Sequence, residues 1–218
     1  MAIDFDQARQ LMIEQQIRPW EVLDPRVLEA LRTVRREDFV PTRHRKLAFT
    51  DIALPLEHGE SMMKPVVEGR LLQALDVGAG QEVLEVGTGT GFLTACLGTL
   101  ARSVDSIDVH ADFVEAAKRR LADAGISNAR LAVADALDYD PGRQYDAVAV
   151  TGAVVEVPER FRQWVRPGGR LFLVRGHAPA MEAVLLTRVD EDDWREESLF
   201  ETELPYLRGA APVPRFAL

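Results

Sequence analysis

The sequence predicts an α/β fold: a seven-stranded, mostly parallel sheet with helices on both faces, closed by an antiparallel C-terminal hairpin and preceded by an N-terminal helical extension. Three observations predict it. From Gln81 onward, apolar runs of strand length alternate with helix-compatible stretches, the pattern of a parallel sheet covered on both sides. The first run ends in a loop with glycine at every second position, Gly87, Gly89 and Gly91, and a helix follows at once. Near the C-terminus two further runs are separated by the acidic turn Asp190-Glu191-Asp192-Asp193, as in a hairpin.

Taken in order, residues 4–17 place Phe5, Ala8, Leu11, Met12 and Ile17 near helical spacing. Asp24-Pro25 opens a second helix through Leu31, an N-cap followed by proline at the first helical position. Between Pro41 and Pro65 the periodicity fades, which predicts a long irregular connection. Parallel strands are expected at residues 82–86, 103–109, 129–133, 147–151 and 170–174, with a helix near 92–100 and others between. Pro167-Gly168-Gly169 reads as the turn before the fifth strand. Residues 183–189 and 197–203 form the closing pair. No repeat or low-complexity linker interrupts the chain. A single domain over 1–218 is expected, with 1–75 as helices and a long loop and 76–218 as the α/β core.

Composition narrows the function classes. The chain has 218 residues and 47% hydrophobic content, enough for a sizeable core. Its net charge of -9 argues against a general nucleic-acid surface, because a phosphate backbone rewards clustered Lys and Arg. The basic runs Arg43-His44-Arg45-Lys46 and Lys118-Arg119-Arg120 read as solvated faces. Cys96 is the one cysteine, so it reads as a buried structural thiol with no internal disulfide. Four scattered histidines make no ligand pattern, and no metal is expected. His110 and His177 read as surface positions, while His58 divides between a pocket role and a plain turn. Trp20, Trp164 and Trp194 read as packing aromatics. Met1 to Asp6 lacks a basic-then-apolar leader pattern and no apolar run approaches membrane-spanning length, so a cytoplasmic protein with no membrane partner is expected.

The glycine loop carries the chemistry. Gly87 and Gly89 can take backbone angles closed to other residues, so the chain turns tightly and a ligand can lie on bare backbone; Gly91 is expected to let helix and strand pack closely. A dinucleotide fingerprint would put its third glycine at position 92, where this chain has Phe, so NAD is disfavoured. The acid-x-Gly-x-Gly-x-Gly pattern beginning at Glu85 instead resembles the first motif of S-adenosylmethionine (SAM) methyltransferases, where a carboxylate suits a cofactor bearing sulfonium and ammonium charges. Asp108 follows Gly87 by 21 residues, the spacing at which a carboxylate grips a ribose diol. Taken alone, the glycines could form only a tight turn and Asp108 only a helix cap. Together they favour a cofactor site, and Gly87, Asp108, Asp135 and Thr151 all fall at carboxyl ends of expected strands.

A wider resemblance extends along nearly the whole chain. Asp24-Pro25-Arg26-Val27-Leu28-Glu29-Ala30-Leu31, Arg36-Glu37-Asp38-Phe39-Val40-Pro41, Leu54-Pro55-Leu56 with His58-Gly59, the glycine loop, Val150-Thr151-Gly152-Ala153 with Glu156-Val157-Pro158, and Pro167-Gly168-Gly169-Arg170-Leu171 are similar to the protein-L-isoaspartate O-methyltransferases. The resemblance implies a Rossmann-like SAM-dependent methyltransferase fold and methyl transfer to the free carboxylate of isoaspartyl residues in damaged proteins, a protein-repair activity. It implies cofactor contacts around Glu85, Gly87, Thr88, Gly89 and Gly91, at Asp108 and Val109, at Ala134-Asp135-Ala136 with Asp135 on the adenine amino group, and near Thr151. Residues 1–75 would then carry the substrate-side loop.

One segment departs from the family. Its substrate loop reads Gly-Gln-Thr-Ile-Ser-Gln-Pro, whereas this chain has Gly59-Glu60-Ser61-Met62-Met63-Lys64-Pro65. Met63 therefore stands at the family's serine position and Ser61 at its threonine position, and a thioether cannot donate a hydrogen bond. Ser61 and Met63 are the candidate catalytic-loop residues. Because a carboxylate acceptor is already ionised at neutral pH, the transfer needs positioning more than a general base. Two alternatives stay open: a SAM-dependent methyltransferase with another acceptor, and a SAM-binding module with little catalysis.

Overall fold

The structure, a computed structural model, describes residues 4–212; Met1 to Ile3, at the head of the segment read as leaderless, lie outside the described residues. The N-terminal extension begins with α1 (Phe5–Met12), whose first turn is capped by the Asp4 carboxylate accepting from Gln7 N–H at 3.0 Å. It continues through a π turn (Ile13–Ile17) and a 3-10 turn that ends at Glu21 in the left-handed region. Asp24 caps α2 (Pro25–Thr33) through Arg26 N–H at 2.8 Å, so the helix starts where the cap-proline pair predicts and runs two residues past Leu31. The short α3 (Arg36–Phe39) follows. The fading periodicity after Pro41 corresponds to a 3-10 turn (Thr42–Leu47) and a small ribbon of β1 (Leu54–Pro55) and β2 (Ser61–Met62) joined through Glu57–Gly59. α4 (Pro65–Leu75) is buried over most of its surface; it lacks the one-sided apolar stripe by which periodicity marks a helix.

The α/β core then alternates as expected: β3 (Glu82–Val86), α5 (Phe92–Leu100), β4 (Ser103–Asp108), α6 (Ala111–Asp123), β5 (Ala129–Val133), β6 (Tyr145–Val154), α7 (Glu159–Gln163), β7 (Val165–His177), β8 (Ala180–Arg188) and β9 (Trp194–Glu201). Seven strands pair in the order β5-β4-β3-β6-β7-β8-β9, with β5 through β7 parallel and β8 and β9 antiparallel to their neighbours. Strands β6 and β7 outrun the expected spans because register partners prolong pairing past the apolar runs. The expected Pro167-Gly168-Gly169 turn is absorbed into an irregular start of β7, where a Cβ at Gly169 would lie 2.8 Å from the Asp146 carbonyl oxygen. The acidic run forms the β8-β9 turn, with Val189 N–H bonded to the Asp193 carbonyl.

Successive strand residues face opposite sides. Val83, Ala147 and Ala149 join the core beneath the N-terminal helices and α5, while Leu84, Val86, Val148 and Val150 join a second core with Phe161 and Trp164. Both faces are thus covered, which is why these strands read as nearly continuous apolar runs. Cys96 is fully buried, as expected; Trp164 is buried, and Trp20 is exposed. Among the described residues no helix is long and apolar enough to cross a membrane. The chain direction across the sheet reverses between β3 and β6, which opens a crevice beyond their carboxyl ends.

Candidate active site

The glycine loop lies in that crevice. Gly87 and Thr88 N–H both donate to the Ile107 carbonyl, at 2.8 and 3.3 Å, tying the end of β3 to β4. Gly87 has φ +94°, and a Cβ there would overlap the Thr151 hydroxyl, which itself donates to the Val86 and Gly87 carbonyls at 2.9 and 3.0 Å. Thr151 reaches the loop because the β6-β7 register shifts between Ala149 and Ala153. Gly89 differs: at φ +49° its nearest neighbour to an added Cβ is Leu56 Cδ1, 3.9 Å away. Its glycine is demanded by backbone angle and open space, not by a protein neighbour. Gly91 meets Ala117 Cβ at 3.0 Å, so it admits α6 against the loop and not, as expected, the strand against the helix. Arg120, read from sequence as part of a solvated run, is half-buried and donates to the Thr90 carbonyl at 3.1 Å, bracing the loop.

A cavity, open to solvent at its mouth, spreads over the loop. Gly87, Gly89, Asp108, Val109, Asp135, Ala136 and Thr151 line it, as does Ser61 from β2. Asp108 is buried, its two carboxylate oxygens accepting from Gly89 N–H at 2.8 Å and His110 N–H at 2.9 Å. Each oxygen keeps a second lone-pair direction. Asp135 accepts from Leu137 N–H through one oxygen at 2.9 Å and likewise retains acceptor capacity.

Glu85, Thr88, Gly91 and Met63 fall outside the cavity wall. Glu85 lies one layer beneath the loop, fully buried, accepting from the Thr94 hydroxyl and from Ser106 Oγ at 2.5 Å; Ser106 in turn meets Thr88 Oγ1 at 2.6 Å. Burial pushes the Glu85 carboxyl up to about 8, against the two hydroxyl donors, and its Oε1 has no hydrogen-bond partner. This acid is therefore positioned to support the loop through hydroxyls. Met63 packs in the core, 6% exposed, and its carbonyl accepts from Arg36 Nη2 at 2.8 Å. Of the two loop candidates, only Ser61 lines the cavity.

Sequence reasoning missed one wall. Pro205, Tyr206, Leu207 and Arg208 line the cavity because this segment pairs with the end of β6: Ala153 N–H bonds to the Pro205 carbonyl and Leu207 N–H to the Ala153 carbonyl, both at 2.8 Å. Gly152 admits it, since a Cβ would collide with Leu207. The glycine was visible in the sequence, but its partner 55 residues later was not. His110, expected at the surface, lines the cavity and stacks on His58 with centroids 4.0 Å apart and rings 3° from parallel. Glu60 lies beside them, its carboxyl raised chiefly by burial and opposed by His110.

The sequence profile of the protein-L-isoaspartate(D-aspartate) O-methyltransferase family matches residues 7–199. The chain is 35% identical to protein-L-isoaspartate O-methyltransferase 1 of Rhodopseudomonas palustris strain HaA2, over 98% of this chain and 91% of the relative. It is 32% identical to protein-L-isoaspartate O-methyltransferase 2 of Pelobacter propionicus, over 93% and 91%. Among solved structures, a Plasmodium falciparum chain described as a protein-L-isoaspartate O-methyltransferase, in complex with S-adenosyl-L-homocysteine, superposes with TM-score 0.78 at 16% identity, covering 94% of this chain and 99% of that one. That likeness supports the fold, and the closer sequence relatives carry the assignment: this chain belongs to the protein-L-isoaspartate(D-aspartate) O-methyltransferase family.

Proposed function

We infer that the protein is a SAM-dependent O-methyltransferase that methylates the free carboxylate of isoaspartyl residues in damaged proteins. The observation that carries this reading is one cavity that joins Gly89, Asp108 and Asp135 at the strand ends to Ser61 from the N-terminal ribbon. The residues fit the cofactor: open space at Gly89 admits a ligand against backbone, Asp108 has lone pairs for a diol, and Asp135 for an amino group. When bound, SAM supplies an electrophilic methyl on sulfur.

The protein's own contribution is placement. Asp108 and the loop backbone orient one reactant, while Ser61 and the 205–208 segment bound the space for the other. Near-attack placement supplies on the order of 7–11 kcal/mol in favourable systems, whereas one hydrogen bond to a charged group contributes about 1.5–3, so methionine at position 63 leaves the main source of rate in place. Ser61 is the hydroxyl we assign to the acceptor. Residues 1–75 then carry the helices and the substrate-side loop and 76–218 the cofactor core of one domain, whose 205–208 segment also borders the acceptor space, and a cytoplasmic location goes with this reading.

Transfer of labelled methyl from SAM to an isoaspartyl peptide, compared with the matching aspartyl peptide, tests the reading. Selective labelling of the isoaspartyl form is expected. Equal labelling of both, or of neither, rules it out.

A further inference from the structure

At the rim of the cavity, two imidazoles and a carboxylate converge from different parts of the chain. His58 sits in the ribbon connection at φ 60°, ψ 14°, left-handed backbone that a non-glycine residue seldom adopts. That conformation lays its ring on His110, which precedes α6, and brings Nε2 to 3.0 Å from Asp112 Oδ2, on the first turn of α6. His110 Nε2 points to Glu60 Oε1 at 3.7 Å. One donor atom from each of His58, His110 and Asp112 lies within 4.8 Å of the other two.

The local charge is one-sided. Glu60, Asp108 and Asp112 surround the two imidazoles, and among the described residues no Lys or Arg forms an ion pair with any of the three. Glu57, next in the ribbon, is paired with Arg43. The cluster thus sets two imidazoles beside the Asp112 and Glu60 carboxylates, with no Lys or Arg among the described residues paired to either acid.

We propose that His58, His110 and Asp112 form a binding site for a divalent transition ion of the zinc class at the cavity mouth, with Glu60 within reach as a further ligand. Two imidazoles and a carboxylate suit zinc or cobalt and disfavour magnesium or calcium, which take oxygen shells. The stacked rings aim their nitrogens along parallel planes, so chelation requires one ring to turn. Rotation about the Cβ–Cγ bond of histidine is soft, and both rings lie at the solvent edge. Three protein ligands leave a coordination position open, beside the cavity that His110 lines.

Titration of the full-length protein with zinc chloride by calorimetry, and with cobalt(II) by visible absorption, tests the proposal without reference to methyl transfer. One zinc per chain is expected, with micromolar or tighter affinity. His110→Ala and His58→Asn, the latter chosen because asparagine tolerates the left-handed backbone, should each weaken it by about 100-fold or more, and Asp112→Asn by about 10-fold. His44→Ala and His177→Ala should leave it unchanged. Thermal melts of all five variants establish that each is folded. Absence of zinc uptake by the wild type, uptake that survives both His58→Asn and His110→Ala, or displacement of zinc by equimolar magnesium would overturn it.

Discussion

The Arg36 guanidinium donates to the Met63 carbonyl oxygen at 2.8 Å, so a residue of α3 holds the connection between β2 and α4 in place. The same guanidinium donates to the Ala48 carbonyl at 2.9 Å, pairs with Glu68 on α4, and stacks over the Phe92 ring at 4.8 Å. Arg36 and Glu68 are both buried, and burial raises the Glu68 carboxyl against the pull of the Arg36 charge.

Removing one partner leaves the other charge buried and alone. Arg36→Leu is therefore expected to cost roughly 3–5 kcal/mol in denaturant unfolding, with Arg36→Lys close behind, because an ammonium cannot serve three directions in one plane. The pair Arg36→Leu with Glu68→Leu should cost less than Arg36→Leu alone. A double variant as unstable as the sum of the singles would show that the two charges do not interact.

The three loop glycines should separate by experiment. Gly87→Ala must displace Thr151 and Gly91→Ala must push back α6, so both should lower unfolding stability. Gly89→Ala meets open space and should cost only about 1–2 kcal/mol of backbone strain. Its larger effect should appear in SAM calorimetry, as at least a tenfold loss of affinity. Full affinity in Gly89→Ala would remove the loop from the cofactor contact.

Glu85 makes stability depend on pH. Its carboxyl rises to about 8 in the fold from an ordinary 4.5, so the native state holds a proton that the unfolded chain releases earlier. The stabilisation from this group is whole below about pH 4.5 and declines by up to ~1.4 kcal/mol per pH unit until about pH 8. Glu85→Gln lacks that decline. Melts between about pH 5 and pH 8 should show wild type losing ground to Glu85→Gln as pH rises, and parallel curves would refute an elevated carboxyl.

Ser61 and Met63 should exchange the roles that the family pattern suggests. Ser61→Ala is expected to lower kcat/KM on an isoaspartyl peptide by roughly 10-fold, about 1.4 kcal/mol, with SAM affinity unchanged. Met63→Ser removes buried side-chain volume and should destabilise the fold by about 2 kcal/mol or more without a gain in turnover. A turnover gain in Met63→Ser with Ser61→Ala silent would return the acceptor hydroxyl to position 63.

The order of strands and helices in the core, the N-terminal cap at Asp24 and the Asp108 spacing were decided by local signals: apolar runs, caps and glycines act over a few residues and can be read along the chain. What only the tertiary structure decided involves partners far apart in sequence. The sequence marks Glu85 as an acid beside the glycine loop, but only its strand face, set by alternation and by the Ser106 register, puts it one layer beneath that loop. The Met63 side chain is buried in the core, and its carbonyl is held by Arg36, 27 residues away. Leu207 completes a wall against Gly152, and His58 finds His110, through contacts that span 55 and 52 residues and leave no periodic trace in composition. Pairing, packing and the direction of a side chain are collective properties of the fold, set when loop closure brings distant elements together.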